Sequence, residues 1–409
     1  MSSIYTPQDT MFVWCLANPA APRLIGQIVL ADSNRRVAFA YDKAWLLADD
    51  GFALSEDLPL RPGLHLPEQR DTAAGAIEDA RPDQWGERVI RLLERPARLS
   101  LLEYLYFAGD ERFGALGISL SGESYQPRPS SPIPSFDGLL QMEEVVARVL
   151  AGDTVPEGQR RLLRPGASFG GARPKSLLEM DGQQWLVKFS DGGELDDALL
   201  EHATMQLAKR CGIHVAQTRA LPLSGRKHAL AVKRFDRVNG LRLHCASAYV
   251  ALRAAGEEFG YPELAQWLRR NSRPDLIASQ QEQLFRRMVF NILIDNTDDH
   301  EKNHVVLRQA DGSWQLSAAF DIVPSAHGLG YQQMRVGEQG AESSIANALS
   351  SAREFGLGKD RAVALCREIS ALVNGWKAFF DGEGLAKKDI EQISNYVDGA
   401  WLIEQRQAV

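Results

Sequence analysis

Residues 285–303 have the sequence FRRMVFNILIDNTDDHEKN. Its first part, from Phe285 to Asp295, is apolar and predicts a buried helix. In the polar loop that follows, Asp298 and Asn303 have the D-x4-N spacing of the protein-kinase catalytic loop. A carboxylate at Asp298 can accept a hydroxyl proton, and the amide oxygen of Asn303 can bind Mg²⁺. The stretch therefore favours a kinase-type catalytic loop.

Two other interpretations of this loop stay open. Asp295, Asp298, Asp299 and His300 could form a metal cage that needs no nucleotide, although the loop lacks the glycine spacing of a calcium loop. The same residues could also form a solvated acidic turn without a function. The loop alone does not distinguish these interpretations, whereas the other motifs of the chain do.

Upstream of the loop, a Gly-rich segment and a buried charge pattern point to phosphate binding. Residues 166–175 are GASFGGARPK. Glycines allow backbone N–H groups to approach phosphate oxygens, although the segment matches neither the P-loop nor the dinucleotide fingerprint. Lys188 lies in an apolar strand, where it needs an anion or a solvated strand face. Glu201 on the next predicted helix could supply the anion, since a strand lysine paired with a helix glutamate holds ATP phosphates in protein kinases.

Downstream of the loop, a second hairpin leads to an aspartate. The strands Val305 to Arg308 and Ser313 to Ala318 flank an Ala-Asp-Gly turn, and Asp321 follows them. A catalytic loop, a hairpin and then a metal-binding aspartate is the protein-kinase order, although Ile322 stands where the common motif has phenylalanine. We therefore predict Asp321 as a second Mg²⁺ ligand. Together the four features favour a nucleotide-dependent phosphotransferase, in which cations stabilise the transferring phosphoryl group.

Composition excludes several classes of protein. The chain has 409 residues, with 46 Lys and Arg against 53 Asp and Glu, so its net charge of −7 makes it a poor candidate for gripping nucleic acid alone. Its four cysteines have neither CxxC nor zinc spacing, which predicts buried free thiols in a reducing cytosol. No apolar stretch reaches the ~18 residues of a membrane span, and the N-terminus lacks a signal-peptide pattern. We expect a cytoplasmic protein with no membrane partner.

The Pro-rich and Ser-rich segment 125–135 predicts a linker. Residues 1–124 open with β signals and continue with helices. Residues 136–409 combine β-hairpins with a mostly helical remainder. The predicted fold class is therefore α+β, with an N-terminal β-rich and helical domain and a kinase-like domain that has a small β-containing lobe and a large helical lobe.

Local patterns predict several individual elements. Asp181-Gly182 predicts a tight turn between the strands Lys175 to Met180 and Gln183 to Phe189. An apolar face from Leu365 to Phe379 predicts one helix, and a similar face from Ile390 to Trp401 predicts the last helix.

At these residues the chain resembles the HipA-like serine/threonine kinases of bacterial toxin–antitoxin systems. The most specific matches are Ser168 to Lys175, Ala229 to Arg237, Thr297 to Asn303 and Phe320 to Ile322. The resemblance implies a HipA-like N-terminal domain at 1–124 and a HipA-like kinase domain at 136–409.

The resemblance also implies roles for single residues. Asp298 becomes the catalytic base, Asn303 and Asp321 the magnesium ligands, and Ser168 a serine whose autophosphorylation limits the enzyme. The implied ATP-binding residues are Phe169, Gly170, Gly171, Ala172, Arg173, Lys175, Lys188, Lys233, Arg234, Phe235, His300, Lys302, Asn303 and Asp321. Lys188 would contact the α- and β-phosphates and would pair with Glu201.

Partners follow from the same resemblance. The family implies a protein substrate from translation, often an aminoacyl-tRNA synthetase, and a helix-turn-helix antitoxin that binds DNA. The acidic balance of this chain agrees with DNA contact made only indirectly, through that antitoxin. The alternatives are a small-molecule kinase on a related scaffold and a non-catalytic scaffold that binds a repressor. The presence of Lys188, Asp298, Asn303 and Asp321 argues against the scaffold.

Overall fold

In this computed structural model the described residues are 5–33, 35–166 and 170–408. The chain divides into two compact units, each made of two segments: Met1–Asp191 with Arg234–Ala255, and Gly192–Lys233 with Gly256–Val409. Within the described residues, no helix combines the length and apolar character that a membrane crossing requires.

The first unit contains a five-stranded sheet. In their order across the sheet, the strands are Thr72–Ala73, Arg36–Tyr41, Arg23–Ala31, Thr10–Cys15 and Leu116–Ser119. All neighbours are antiparallel except Thr72–Ala73 with Arg36–Tyr41. Val13, Ile28 and Phe39 are fully buried, so one face of the sheet forms the core of this unit. The β signals with which residues 1–124 open therefore correspond to strands of this sheet.

Helices accompany the sheet in the same unit. They are Lys43–Leu46, Gln84–Leu93, Leu101–Phe107, Leu139–Ala151, Glu157–Arg160 and Ala248–Ala255, with short 3₁₀ turns at Gly75–Ala80 and Phe136–Gly138. The helix Gln84–Leu93 begins after Asp83, because the Asp83 carboxylate accepts the Gly86 N–H at 2.7 Å and caps the helix.

A β-hairpin follows the Gly-rich loop. The strands Lys175–Met180 and Gln183–Lys188 pair antiparallel. Asp181 and Gly182 have φ angles of 53° and 65°, the positive values that the predicted two-residue hairpin turn requires. Three short strands complete this unit: Arg237–Val238, Leu241–Arg242 and Cys245–Ser247.

The second unit is mostly helical. Its helices are Asp197–Arg210, Tyr261–Asn271, Ile277–Leu293, Ile345–Ser350, Lys359–Val373, Trp376–Gly382, Lys387–Val397 and Ala400–Gln407, with short 3₁₀ turns at Ser224–Arg226, Glu301–Asn303 and Ala352–Phe355. Two hairpins accompany them: Thr218–Pro222 with His228–Lys233, and Val305–Arg308 with Trp314–Leu316. In the helix Ile277–Leu293, every residue from Leu284 onward is buried, which confirms the predicted apolar helix before the catalytic loop.

Two of the predicted long helices were wrong. The apolar face at 365–379 is divided between two helices, because the first ends at Val373 and the second begins at Trp376. The turn between them moves the buried position from Phe379 to Phe380, which is fully buried. The C-terminal helix also ends early, at Val397, and Trp401 in the following helix is 48% exposed. A face at helical spacing does not reveal a one-turn break when apolar residues continue beyond it.

The four cysteines are free and buried, as their sequence spacing predicted. Burial raises the pKa of the Cys211 and Cys366 thiols to about 12. These side chains therefore behave as small apolar groups in the core.

Candidate active site

Asp298 is the exposed residue of a segment that is otherwise buried. From Asn291 to Asp299 every residue is buried except Asp298, which is exposed. The Asp298 carboxylate forms no hydrogen bond or ion pair with any residue that the structure describes. A buried polypeptide that presents a single unengaged carboxylate is suited to act on a bound ligand.

Ser325 fixes the backbone that carries this carboxylate. Its Oγ accepts the N–H groups of Thr297 and Asp298, each at 2.9 Å. The N–H of Ser325 in turn donates to the Asp295 carbonyl oxygen at 2.8 Å, and Asp295 has a positive φ of 58°. No sequence pattern marks this serine, since it lies beyond the hairpin and belongs to no motif.

A buried polar network lies directly behind Asp298. Asp299 is 2% exposed, and its carboxylate accepts the hydroxyl of Tyr261 and pairs with Nε2 of His304 at 2.7 Å. Burial alone would raise the pKa of Asp299, but the charge and hydrogen bond of His304 outweigh burial and lower it. Asn291 donates to the Tyr261 hydroxyl at 3.3 Å. Because protein groups already engage Asp299, the metal-cage interpretation is disfavoured.

Arg287 adds a cation to this network. It is 2% exposed, and one of its terminal nitrogens donates to the Ser317 carbonyl. Burial lowers the pKa of Arg287 to about 10, and Asp299 opposes that shift. The guanidinium therefore stays charged at neutral pH and stabilises the Asp299 carboxylate from within the core.

Asn303 ends the loop in a short turn. The His300 ring accepts the Lys302 N–H at 3.3 Å, and the Asn303 N–H donates to the His300 carbonyl at 2.8 Å. The Asn303 residue is 7% exposed, and its side-chain amide forms no hydrogen bond with any described residue. The amide oxygen is therefore available to a ligand, as a metal-binding role requires.

Asp321 is held in place by the segment before it. The N–H of Ala319 donates to the His214 carbonyl, and the carbonyl of Ala319 accepts the Ala216 N–H, both at 2.8 Å. Asp321 itself is partly exposed and has a φ of 59°, a left-handed conformation that costs a non-glycine residue about 1 kcal/mol. Backbone strain of this kind concentrates at functional positions, which supports the predicted role.

In the first unit, the end of the Gly-rich loop is tied to a helix. Ser168 and Phe169, predicted as the autophosphorylated serine and an ATP contact, lie outside the described residues. The ammonium of Lys175 pairs with the Asp83 carboxylate at 2.8 Å and donates to the Gly170 carbonyl at 2.7 Å. The pattern of the Gly-rich loop alone could not identify Asp83 as this partner.

Lys188 lies on a strand and Glu201 on the following helix, as the sequence predicted. Lys188 ends the strand Gln183–Lys188 and is 8% exposed, and Glu201 is fully buried on the helix Asp197–Arg210. The two residues belong to different units, and their ion pair stays a prediction.

Arg234 lies in a buried charge cluster. It pairs with Asp236 at 2.7 Å and donates to the carbonyls of Glu111 and Arg112 at 2.8 and 3.0 Å. Burial would raise the pKa of Asp236, but its arginine partners lower it to about 2. The guanidinium of Arg234 is thus committed to protein groups, so a nucleotide contact by this residue would fall to its backbone.

The two neighbours of Arg234 are more open. Lys233 and Phe235 are both partly exposed, and the Phe235 ring lies 5.6 Å from that of Phe113. Their ATP contacts, like those of Gly170, Gly171, Ala172, Arg173, His300 and Lys302, remain predictions.

Comparison with known proteins matches two domain models to this chain. The HipA-like C-terminal domain matches residues 167–376, and the HipA N-terminal domain matches residues 20–119. The chain is 26% identical over 334 residues to Y4mE of Sinorhizobium fredii, a proposed kinase, covering 74% of this chain and 75% of that protein. A proposed kinase of Haemophilus influenzae is 24% identical over 138 residues, which are 30% of this chain and 40% of that one.

A solved structure shares the fold over almost the whole chain. It is HipA from Shewanella oneidensis MR-1, determined in a toxin–antitoxin complex with HipB and operator DNA. The match has a TM-score of 0.67 and 18% identity and covers 97% of each chain. The predicted two-part α+β architecture with a kinase-like C-terminal part is confirmed.

Proposed function

The chain belongs to the HipA kinase family, and from that premise we propose that it is a serine/threonine-protein kinase. It transfers the γ-phosphate of ATP to a hydroxyl group of a protein. The observation that carries the proposal is Asp298, whose exposed carboxylate has no hydrogen bond or ion pair with a described residue and lies in the otherwise buried segment 291–299. Asn303, later in the same loop, has a side-chain amide without a hydrogen bond to any described residue, so the amide can bind a ligand.

Asp298 orients the attacking hydroxyl and accepts its proton during transfer. A general base works when it is within hydrogen-bond reach of the proton and otherwise unengaged. Ser325 and the network around Asp299 hold the backbone on either side, so the carboxylate is positioned before substrate binds. Positioning of this kind is a large part of catalysis in phosphoryl transfer.

The oxygen atoms of Asn303 and Asp321 suit Mg²⁺, which prefers carboxylate and amide oxygen ligands. When bound, this ion would neutralise charge on the phosphates. Lys188 contributes a cation to the α- and β-phosphates, and Glu201 would hold it in place.

The same proposal includes regulation and partners. The protein substrate belongs to translation, as an aminoacyl-tRNA synthetase does, and autophosphorylation at Ser168 limits the enzyme. The Shewanella oneidensis HipA complex with HipB and operator DNA supports a helix-turn-helix antitoxin as a partner of this chain. This chain then contacts DNA only indirectly, through that antitoxin.

The test is phosphate transfer from labelled MgATP into a bacterial lysate. Wild type should label a protein, and Asp298→Asn should lower transfer by about 10³-fold or more while keeping the fold, because the position is exposed. Asp311→Asn is the matched control: Asp311 is an exposed hairpin-turn aspartate whose hydrogen bonds with Ser313 an asparagine can keep. Wild-type transfer by purified Asp298→Asn, or label confined to small molecules, would contradict the proposal.

A further inference from the structure

A buried ion pair joins the Gly-rich loop to a helix that precedes it by about 80 residues in the same unit. The Asp83 and Lys175 side chains are 2% and 4% exposed, and their charged atoms lie 2.8 Å apart. The same ammonium donates to the carbonyl of Gly170 inside the loop at 2.7 Å. Asp83 also caps its own helix by accepting the Gly86 N–H.

Two further contacts from this helix reach the flanks of the loop. The indole N–H of Trp85 donates to the backbone carbonyl of Lys175 at 2.8 Å, and Trp85 is 2% exposed. A Cβ at Gly86 would lie 1.9 Å from the carbonyl oxygen of Pro165, so only glycine allows this approach. The first turn of the helix therefore holds the residues on both sides of the loop.

We propose that Asp83 and Lys175 are a positioning pair that sets the conformation of residues 170–174, the described end of the Gly-rich loop, and through it the affinity for MgATP. The inference deepens the proposed function and rests on it. It gives Lys175 a role different from direct phosphate contact, because a carboxylate and a carbonyl already engage its ammonium. Removing one member leaves a buried charge uncompensated, so the loop must leave this position to solvate that charge.

The variant Asp83→Asn separates the effect of the ion pair from the effect of the helix cap. Asparagine caps helices as well as aspartate does, so this variant keeps the cap and loses only the charge. Lys175→Met removes the opposite charge with a side chain of similar length. Arg91→Met is the matched control, since it removes a cation from the same helix at a position whose side chain is 55% exposed.

Hydrogen exchange of residues 170–173 measures the loop without any kinase assay, and calorimetry measures MgATP affinity in the same full-length proteins. Asp83→Asn and Lys175→Met should each speed exchange of the loop and weaken MgATP by about tenfold, equivalent to about 1.4 kcal/mol. The double variant should lose no more than either single variant, and not about a hundredfold, because it leaves neither charge buried without its partner. Arg91→Met should match wild type in both measurements.

Wild-type exchange of the loop in Asp83→Asn would overturn the inference. Faster exchange spread equally over the five-stranded sheet would overturn it too, because that pattern indicates general destabilisation. Additive losses in the double variant would show that the two residues act separately and would also overturn it. If wild type binds no MgATP, the proposed function fails, whereas the exchange measurement still decides whether the pair holds the loop.

Discussion

Tyr261→Phe removes one hydroxyl from the network behind the catalytic loop and leaves the ring in place. Tyr261 is fully buried, and its hydroxyl donates to the Asp299 carboxylate and accepts from Asn291. A hydrogen bond to a charged group contributes about 2 kcal/mol, and leaving the buried Asn291 donor without its acceptor costs about 1 kcal/mol more. We therefore expect the free energy of unfolding to fall by about 3 kcal/mol.

Urea unfolding of the full-length protein measures this loss. Tyr331→Phe is the matched control, because Tyr331 lies in the same unit and is 49% exposed. Its change in unfolding free energy should stay within about 0.5 kcal/mol. A Tyr261→Phe protein as stable as the control would refute the assignment of a strong hydrogen bond to Asp299.

The stability that the Tyr261–Asp299 hydrogen bond contributes should depend on pH. The folded-state pKa of Asp299 is lowered, so its contribution to stability is complete above the unfolded pKa of about 3.9 and is lost as pH falls through the lower folded value. The Tyr261 hydroxyl contributes to that lowering, and its own pKa is raised well above the ordinary range by burial. The difference between wild type and Tyr261→Phe should therefore shrink as acid protonates Asp299 in the folded state, because the hydroxyl then no longer faces a carboxylate. A difference that stays constant until acid unfolds both proteins would contradict this origin.

Three more predictions concern nucleotide, regulation and thiols. Asp321→Ala and Asn303→Ala should each remove the magnesium-dependent part of the ATP affinity. Calorimetry with EDTA in place of Mg²⁺ gives the magnesium-independent affinity as the reference. An unchanged dependence on Mg²⁺ would contradict the ligand roles. Ser168→Asp should transfer little phosphate, since a fixed anion in the Gly-rich loop repels ATP. Ser168→Ala adds no charge and should still bind ATP. Equal ATP binding by both variants would argue against the inhibitory role of a phosphate at Ser168. A thiol reagent should modify the four buried cysteines only after denaturation, and fast reaction of the native protein would show that one is accessible.

Local patterns predicted the positions of several short elements, whereas the chemical roles of their residues stay predictions. The D-x4-N spacing placed Asp298 on the loop that the structure shows, and Asp181-Gly182 gave the turn between two strands. Both patterns act over a few residues, where the backbone conformation is set by neighbours in the chain. The position of Asp321 after its hairpin follows from the same kind of local order.

The partners of those residues could not be predicted, because they come from distant parts of the chain. Asp83 and Lys175 are separated by 92 positions, and Tyr261 and Asp299 by 38. Nothing in the sequence around Ser325 marks it as the acceptor of two N–H groups in the catalytic loop. Tertiary packing chooses such contacts, and spacing along the chain carries no signal for them.

Exposed and buried residues of the candidate site should respond differently to substitution. A substitution at Asp298 changes an exposed atom and should affect transfer without affecting folding. Substitutions at Tyr261 or Asp83 change buried groups, so each must alter stability or local exchange before it can alter catalysis. Measuring folding and transfer together in the same variants therefore separates a residue proposed to perform the chemistry from residues proposed to position it.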